Sequence, residues 1–98
     1  MQLRYRRSGG FAGTTLAADV DGSQLSDADG RLAGQLLTEP AAFRASGAPV
    51  PPGAADLTEH RLEVSEGRRS QSFRWTDLDV PDAVRPLLAT LRGLAKPV

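Results

Sequence analysis

Two short segments of strict alternation flank a glycine-rich stretch near the start of the chain, and together they leave few folds open. In residues 2–7, Leu3 and Tyr5 face one way while Gln2, Arg4 and Arg6 face the other. After Arg7-Ser8-Gly9-Gly10-Phe11-Ala12-Gly13-Thr14, the residues Leu16, Ala18 and Val20 alternate with Thr15, Ala17 and Asp19. A period of two marks a strand with one buried face. Two such strands joined by a loop of about five to six residues containing glycine form an antiparallel hairpin with a long or bulged connection.

The rest of the chain repeats this logic. Asp21-Gly22-Ser23 ends the second strand. Ser26, with Asp27 and Asp29 after it, predicts an N-cap with acids in the first helical turn, where the helix dipole favours them. Leu32, Leu36 and Leu37, with Ala28 or Ala33, supply the apolar stripe, and Pro40 stops the helix or begins a short extension to Phe43. Residues 44–56 are rich in proline and glycine and predict a surface loop. A second hairpin follows, with Thr58, His60, Leu62 and Val64 on one face, Gly67 at the turn, and Phe73 and Trp75 sharing a face of the return strand. Val80-Pro81-Asp82 then opens a helix whose stripe is Val84, Leu87, Leu88, Leu91 and Leu94 or Ala95. The expectation is an α+β fold in the order β-β-α-β-β-α: a four-stranded antiparallel sheet with two helices packed on one face.

The chain has 98 residues, enough for one domain over 1–98 and not for a second core. Its formal net charge is zero, which gives no general push toward nucleic acid or membrane. It has no cysteine, so disulfides, thiolate metal sites and a cysteine nucleophile are all excluded. Charges interrupt the N-terminal residues where a secretory signal needs an apolar run of about 7–15, and no segment approaches the ~20 apolar residues of a membrane span. The expected location is the cytoplasm.

Catalytic chemistry has little to stand on. His60 is the only histidine, and on a strand Glu59 and Glu63 point away from it, so it reads as a structural side chain rather than a metal ligand. The acids Asp27/Asp29 and Asp77/Asp79 read as partners of helix starts. No strained G-x-S-x-G elbow is present. The glycine stretch lacks both the spacing and the following helix of a phosphate cradle. No catalytic residue, metal or cofactor is expected.

Glycines serve tight turns and close backbone approach, whereas a Phe is ordinarily buried, a gain of roughly 1.5–3 kcal/mol. Phe11 among Gly9, Gly10 and Gly13 therefore has two readings. Either it folds back over an end of the core, or it projects on a thin stem as an anchor for a partner's pocket. Two rival binding modes are a single-stranded nucleic-acid surface built on Arg4, Tyr5, Arg6 and Arg7, and an adaptor that offers a sheet edge to a partner strand.

The string RSGGFAG, the segment from Leu57 to Val64 with Gly67 and Trp75, and the run Val80-Pro81 through Arg85-Pro86-Leu87-Leu88 to Leu91 together resemble the emfourin family. These are protein inhibitors of thermolysin-like metallopeptidases, enzymes that hold zinc through two histidines and a glutamate and favour a large apolar residue after the bond they cut. The resemblance implies that Ser8, Gly9, Gly10, Phe11, Ala12 and Gly13 form the protease-binding loop, with Phe11 as anchor; beside it Thr14 is an auxiliary contact, and Arg6 and Arg7 either pair with carboxylates around an acidic cleft or form a solvated charge run. It implies a thermolysin-like metallopeptidase as partner and a monomer when free. Thr14 and Thr15 stand where family members tend to carry a bulky apolar residue.

Overall fold

A computed structural model describes residues 1–9, 15–44 and 58–97. Strands β1 (Gln2–Ser8) and β2 (Leu16–Asp21) form the first hairpin, so residues 9–15 connect them, slightly more chain than the alternation suggested. A short 3-10 turn follows over Gly22–Gln24, closed by Asp21, whose side chain accepts from Ser23 N while Gln24 Oε1 accepts from Asp21 N. Helix α1 (Asp27–Thr38) begins where expected, with Ser26 Oγ accepting from Asp29 N at 3.2 Å. Pro40–Phe43 is a further 3-10 turn.

The second hairpin pairs β3 (Glu59–Glu66) with β4 (Arg69–Thr76) around Gly67, whose φ of 59° lies where side chains with a Cβ are strained. The final helix is shorter than expected: Asp82–Val84 is 3-10, and α2 proper runs Arg85–Leu94. Pro86 explains the boundary. It has no N–H to donate and is accommodated in the first turn of α2, where no intrahelical acceptor exists anyway.

The sheet has five strands, which corrects the expectation of four. Lys96–Pro97 forms β5, pairing antiparallel with β2 through Leu16↔Pro97 and Ala17↔Lys96, so the chain order is β-β-α-β-β-α-β and the spatial order is β4-β3-β1-β2-β5. Two residues, one of them proline, carry no alternation that a sequence pattern could detect. They become a strand only because the end of α2 returns the chain to the free edge of β2.

Register sorts the side chains into rows. On the inner face, Val64, Leu3 and Val20 line up across β3, β1 and β2, and one step on come Phe73, Leu62, Tyr5 and Ala18. The next row is Trp75, His60, Arg7 and Leu16. Leu32, Ala33, Leu36 and Leu37 of α1 and Leu87, Leu88 and Leu91 of α2 close over this face as one buried core. Ala33 is in that core and Ala28 is exposed; at the end of α2, Ala95 packs on the core and Leu94 is exposed. Asp29 and Thr90 join the helices at 2.7 Å. Trp75 packs on Phe73, with ring centroids 5.2 Å apart, and its Nε1 donates to Phe43 O at 2.8 Å. Apart from Ala17, the outer face of the sheet is polar, as one-sided antiparallel sheets allow.

Both sheet edges are blunted. The Arg44 guanidinium lies 4.7 Å over the Phe73 ring and donates to Ser72 O and Gln71 Oε1, while Asp79 Oδ1 accepts from Thr76 N at 2.6 Å. On the opposite edge the two-residue β5, ending in Pro97, covers Leu16 and Ala17 of β2. Occupied backbone groups on one edge and a short proline strand on the other work against pairing with a partner strand.

Candidate functional site

The candidate site grows from the end of the sheet where β1 stops. Ser8, Glu59 and Thr76 stand in line across β1, β3 and β4, and the chain leaves the ladder at Gly9 with φ 105°. That angle is a glycine conformation, so Gly9 is the residue that turns the loop out of the sheet. Ser8 is half-buried in the stem. Gly10, Phe11, Ala12, Gly13 and Thr14 lie outside the described residues, as do Leu57 and the proline-rich stretch after Arg44.

The arginines of the stem point to opposite faces. Arg6 lies on the outer face and is already engaged, with Nη1 donating to Asp19 Oδ1 and to Tyr5 O, each at 2.8 Å. It stands in register with Arg61 and Arg74, whose charges are balanced by Glu59 at 2.6 and 3.0 Å. The hydrogen bond from Arg6 holds the Asp19 carboxyl below its ordinary range, and the bond from Arg61 does the same for Glu59. Arg7 lies on the inner face beside His60; its Nε is buried without a hydrogen-bond partner among the described residues. Tyr5 is fully buried, so Arg4, Tyr5, Arg6 and Arg7 do not form one surface and the strand presents no aromatic for a base to stack on.

Beneath the loop stem runs a chain of polar groups that sequence reasoning did not assemble. The Tyr5 hydroxyl lies 2.8 Å from His60 Nδ1, and His60 Nε2 lies 2.6 Å from Asp77 Oδ1. An ionised carboxylate only accepts, so Nε2 carries the proton toward Asp77; in the neutral imidazole Nδ1 is then the acceptor for the Tyr5 hydroxyl. Burial pushes the Tyr5 phenol up to about 12. For Asp77, partial burial raises the carboxyl, but the hydrogen bonds from His60 and Thr58, with the nearby Arg7 charge, outweigh this and hold it below the ordinary range. Asp77 and Asp79 therefore do not cap a helix, as the spacing suggested. They pin the turn after β4, because the nearest helical N–H groups begin only after Pro81. His60 is structural, as its strand position predicts; the missing signal was that its face also carries Tyr5 on the neighbouring strand.

The described residues define a class of protein: a small α+β fold in which the Gly9 turn leads out of a central strand of an antiparallel sheet. No group of three or more His, Asp or Glu side chains suited to a metal ion occurs among the described residues, and no described helix is long and apolar enough to cross a membrane. The emfourin family model matches residues 5–92, most of the chain. This chain belongs to the emfourin family, a family of protease inhibitors rather than of enzymes, and its membership fits a general role as a metallopeptidase inhibitor. No match to a curated protein or to a solved structure was found.

Proposed function

We propose that the protein inhibits a thermolysin-like zinc metallopeptidase by placing the Ser8–Gly13 loop in the active-site cleft, with Phe11 filling the apolar pocket next to the scissile position. The observation that carries this reading is the stem. Gly9, at φ 105°, leads out of β1, which is hydrogen-bonded on both sides by β2 and β3. A loop tethered at both ends to a packed sheet loses less conformational freedom on binding than a free peptide, which favours affinity. Glycines let the backbone approach the cleft wall, and tight packing keeps the bound chain in a pose unsuited to attack by water. Ser8 and Thr14 contribute hydrogen bonds at the rim. Arg7, on the inner face near the end of β1, adds local positive charge, while Arg6 on the outer face keeps its pairing with Asp19. The protein acts as a monomer in the cytoplasm and binds one to one.

The test is a titration of the purified protein against thermolysin and a serine protease, following cleavage of a short peptide. Loss of the metallopeptidase activity alone, saturating near equal molar amounts, is the expected result. Phe11→Ala is expected to weaken inhibition by about 30-fold or more, the loss of a central apolar anchor. Gly10→Ala weakens it through crowding at the wall. Equal inhibition by both variants and the parent would exclude loop insertion while leaving inhibition itself intact.

A further inference from the structure

We infer that the turn Asp77–Asp79 is a second contact element for the protease, with Leu78 as its apolar anchor; this rests on the loop-insertion reading above. Leu78 is 58 % exposed, one of two large apolar side chains left exposed among the described residues. A single exposed leucine is ordinary on a protein surface. What distinguishes Leu78 is the framework that holds it out. Leu78 N donates to Thr76 Oγ1 at 3.3 Å, Asp79 N donates to Thr76 O at 3.1 Å, and Asp79 Oδ1 accepts from Thr76 N at 2.6 Å. On the other side, Asp77 N donates to Thr58 O at 3.2 Å and the Asp77 carboxylate is tied to the buried His60. None of these bonds uses the Leu78 side chain. The turn is fixed at every residue, yet its one apolar group is turned to solvent.

Placement supplies the partner. The turn follows Thr76 directly, and Thr76 lies in line with Glu59 and Ser8 at the end of the sheet from which the loop departs. At about 4.8 Å per strand, Thr76 stands about 10 Å from Ser8 across the sheet. An interface of standard size covers about 800 Å² on each partner, so a protease that receives the loop also meets the turn. The Tyr5–His60–Asp77 chain ties the two together, since it runs from the strand that carries the loop to the turn that carries Leu78. The surface that Leu78 fits is an apolar depression on the rim of the cleft, and a leucine already held in place gives up little freedom on entering it.

The experiment compares inhibition constants against thermolysin for the parent, Leu78→Ser and Leu78→Met, with thermal unfolding of each. Leu78→Ser is expected to raise the constant about tenfold at an unchanged unfolding midpoint, while Leu78→Met stays within about twofold of the parent. Amide hydrogen exchange on the complex gives a second readout that needs no variant: protection of the Leu78 amide on binding supports the contact, and unchanged exchange overturns it. If the parent inhibits and Leu78→Ser inhibits equally well, the turn is not a contact and loop insertion stands. If the parent does not inhibit, both readings fall together.

Discussion

The two ends of the sheet solve different problems. At the end where β3 turns into β4, Gly67 carries a tight turn, and the nearby polar bonds are exposed: Gln2 Nε2 donates to Asp21 Oδ2, and Asp21 and Gln24 close the following 3-10 turn on themselves. At the loop end, beside the exposed bonds of Glu59, Tyr5 is joined to His60 by a buried bond and His60 to Asp77 by a part-buried one, and both join residues far apart in the chain. A local bond needs only its own few residues. A buried bond between distant elements exists only when β1, β3 and the turn after β4 have all docked, and a low-dielectric setting makes its geometry costly to disturb. The far end reverses the chain, whereas the loop end ties β1 and β3 to the turn after β4.

His60→Leu is the most direct way to break this comparison. It leaves the Tyr5 hydroxyl buried without its partner and is expected to lower unfolding stability by about 3 kcal/mol in urea titration at neutral pH. A cost no greater than that of a far-end turn substitution would show that the buried chain is incidental.

The second effect is alkaline. Tyr5 is the only tyrosine, so phenolate absorbance reports it alone. Its native value of about 12 exceeds the ordinary value of about 10, so the native state keeps the proton longer than the unfolded state. Stability from this source is complete below about pH 10 and falls as the pH rises toward 12, by about 2–3 kcal/mol in all. Tyr5→Phe removes that pH dependence. A native titration midpoint near 10 would mean that water reaches the phenol and that the loop end is not closed.

The smallest effects belong to the far end. A Cβ on Gly67 would meet nothing within 4 Å, so Gly67→Ala carries only the backbone cost of positive φ, about 1–2 kcal/mol. Ser26→Ala, which loses the bond to Asp29 N, costs about 1 kcal/mol. Amide exchange sharpens the contrast: both far-end variants should leave protection around His60 unchanged, and His60→Leu should not.

Much of the architecture was legible because its signals are local. Leu3 and Tyr5, Ala18 and Val20, and Leu62 and Val64 alternate, and each pair is buried on the face the alternation assigns. The Ser26 cap and the Leu32–Leu36–Leu37 stripe likewise need only one helix to be read. The site was legible only in part. The glycines mark where the chain leaves the sheet, but Arg6 and Arg7 look equivalent in sequence and are separated by the pleat, one bound to Asp19 and the other set beside His60. Asp77 and Asp79 precede a helical segment and so resemble caps; Pro81 and the 3-10 turn at Asp82 move the helix away and leave both acids to the turn.

The sequence by itself determined the two hairpins, the two helices, the inner and outer faces and the position of the glycine loop, because periodicity, capping and turn chemistry act over a few residues. Only the tertiary structure decided the fifth strand, the blunting of β4 by Arg44, and the union of Tyr5, His60 and Asp77 across β1, β3 and the turn after β4. These depend on register between strands distant in the chain, and no spacing along a single segment encodes which residue will stand beside which once the sheet has closed.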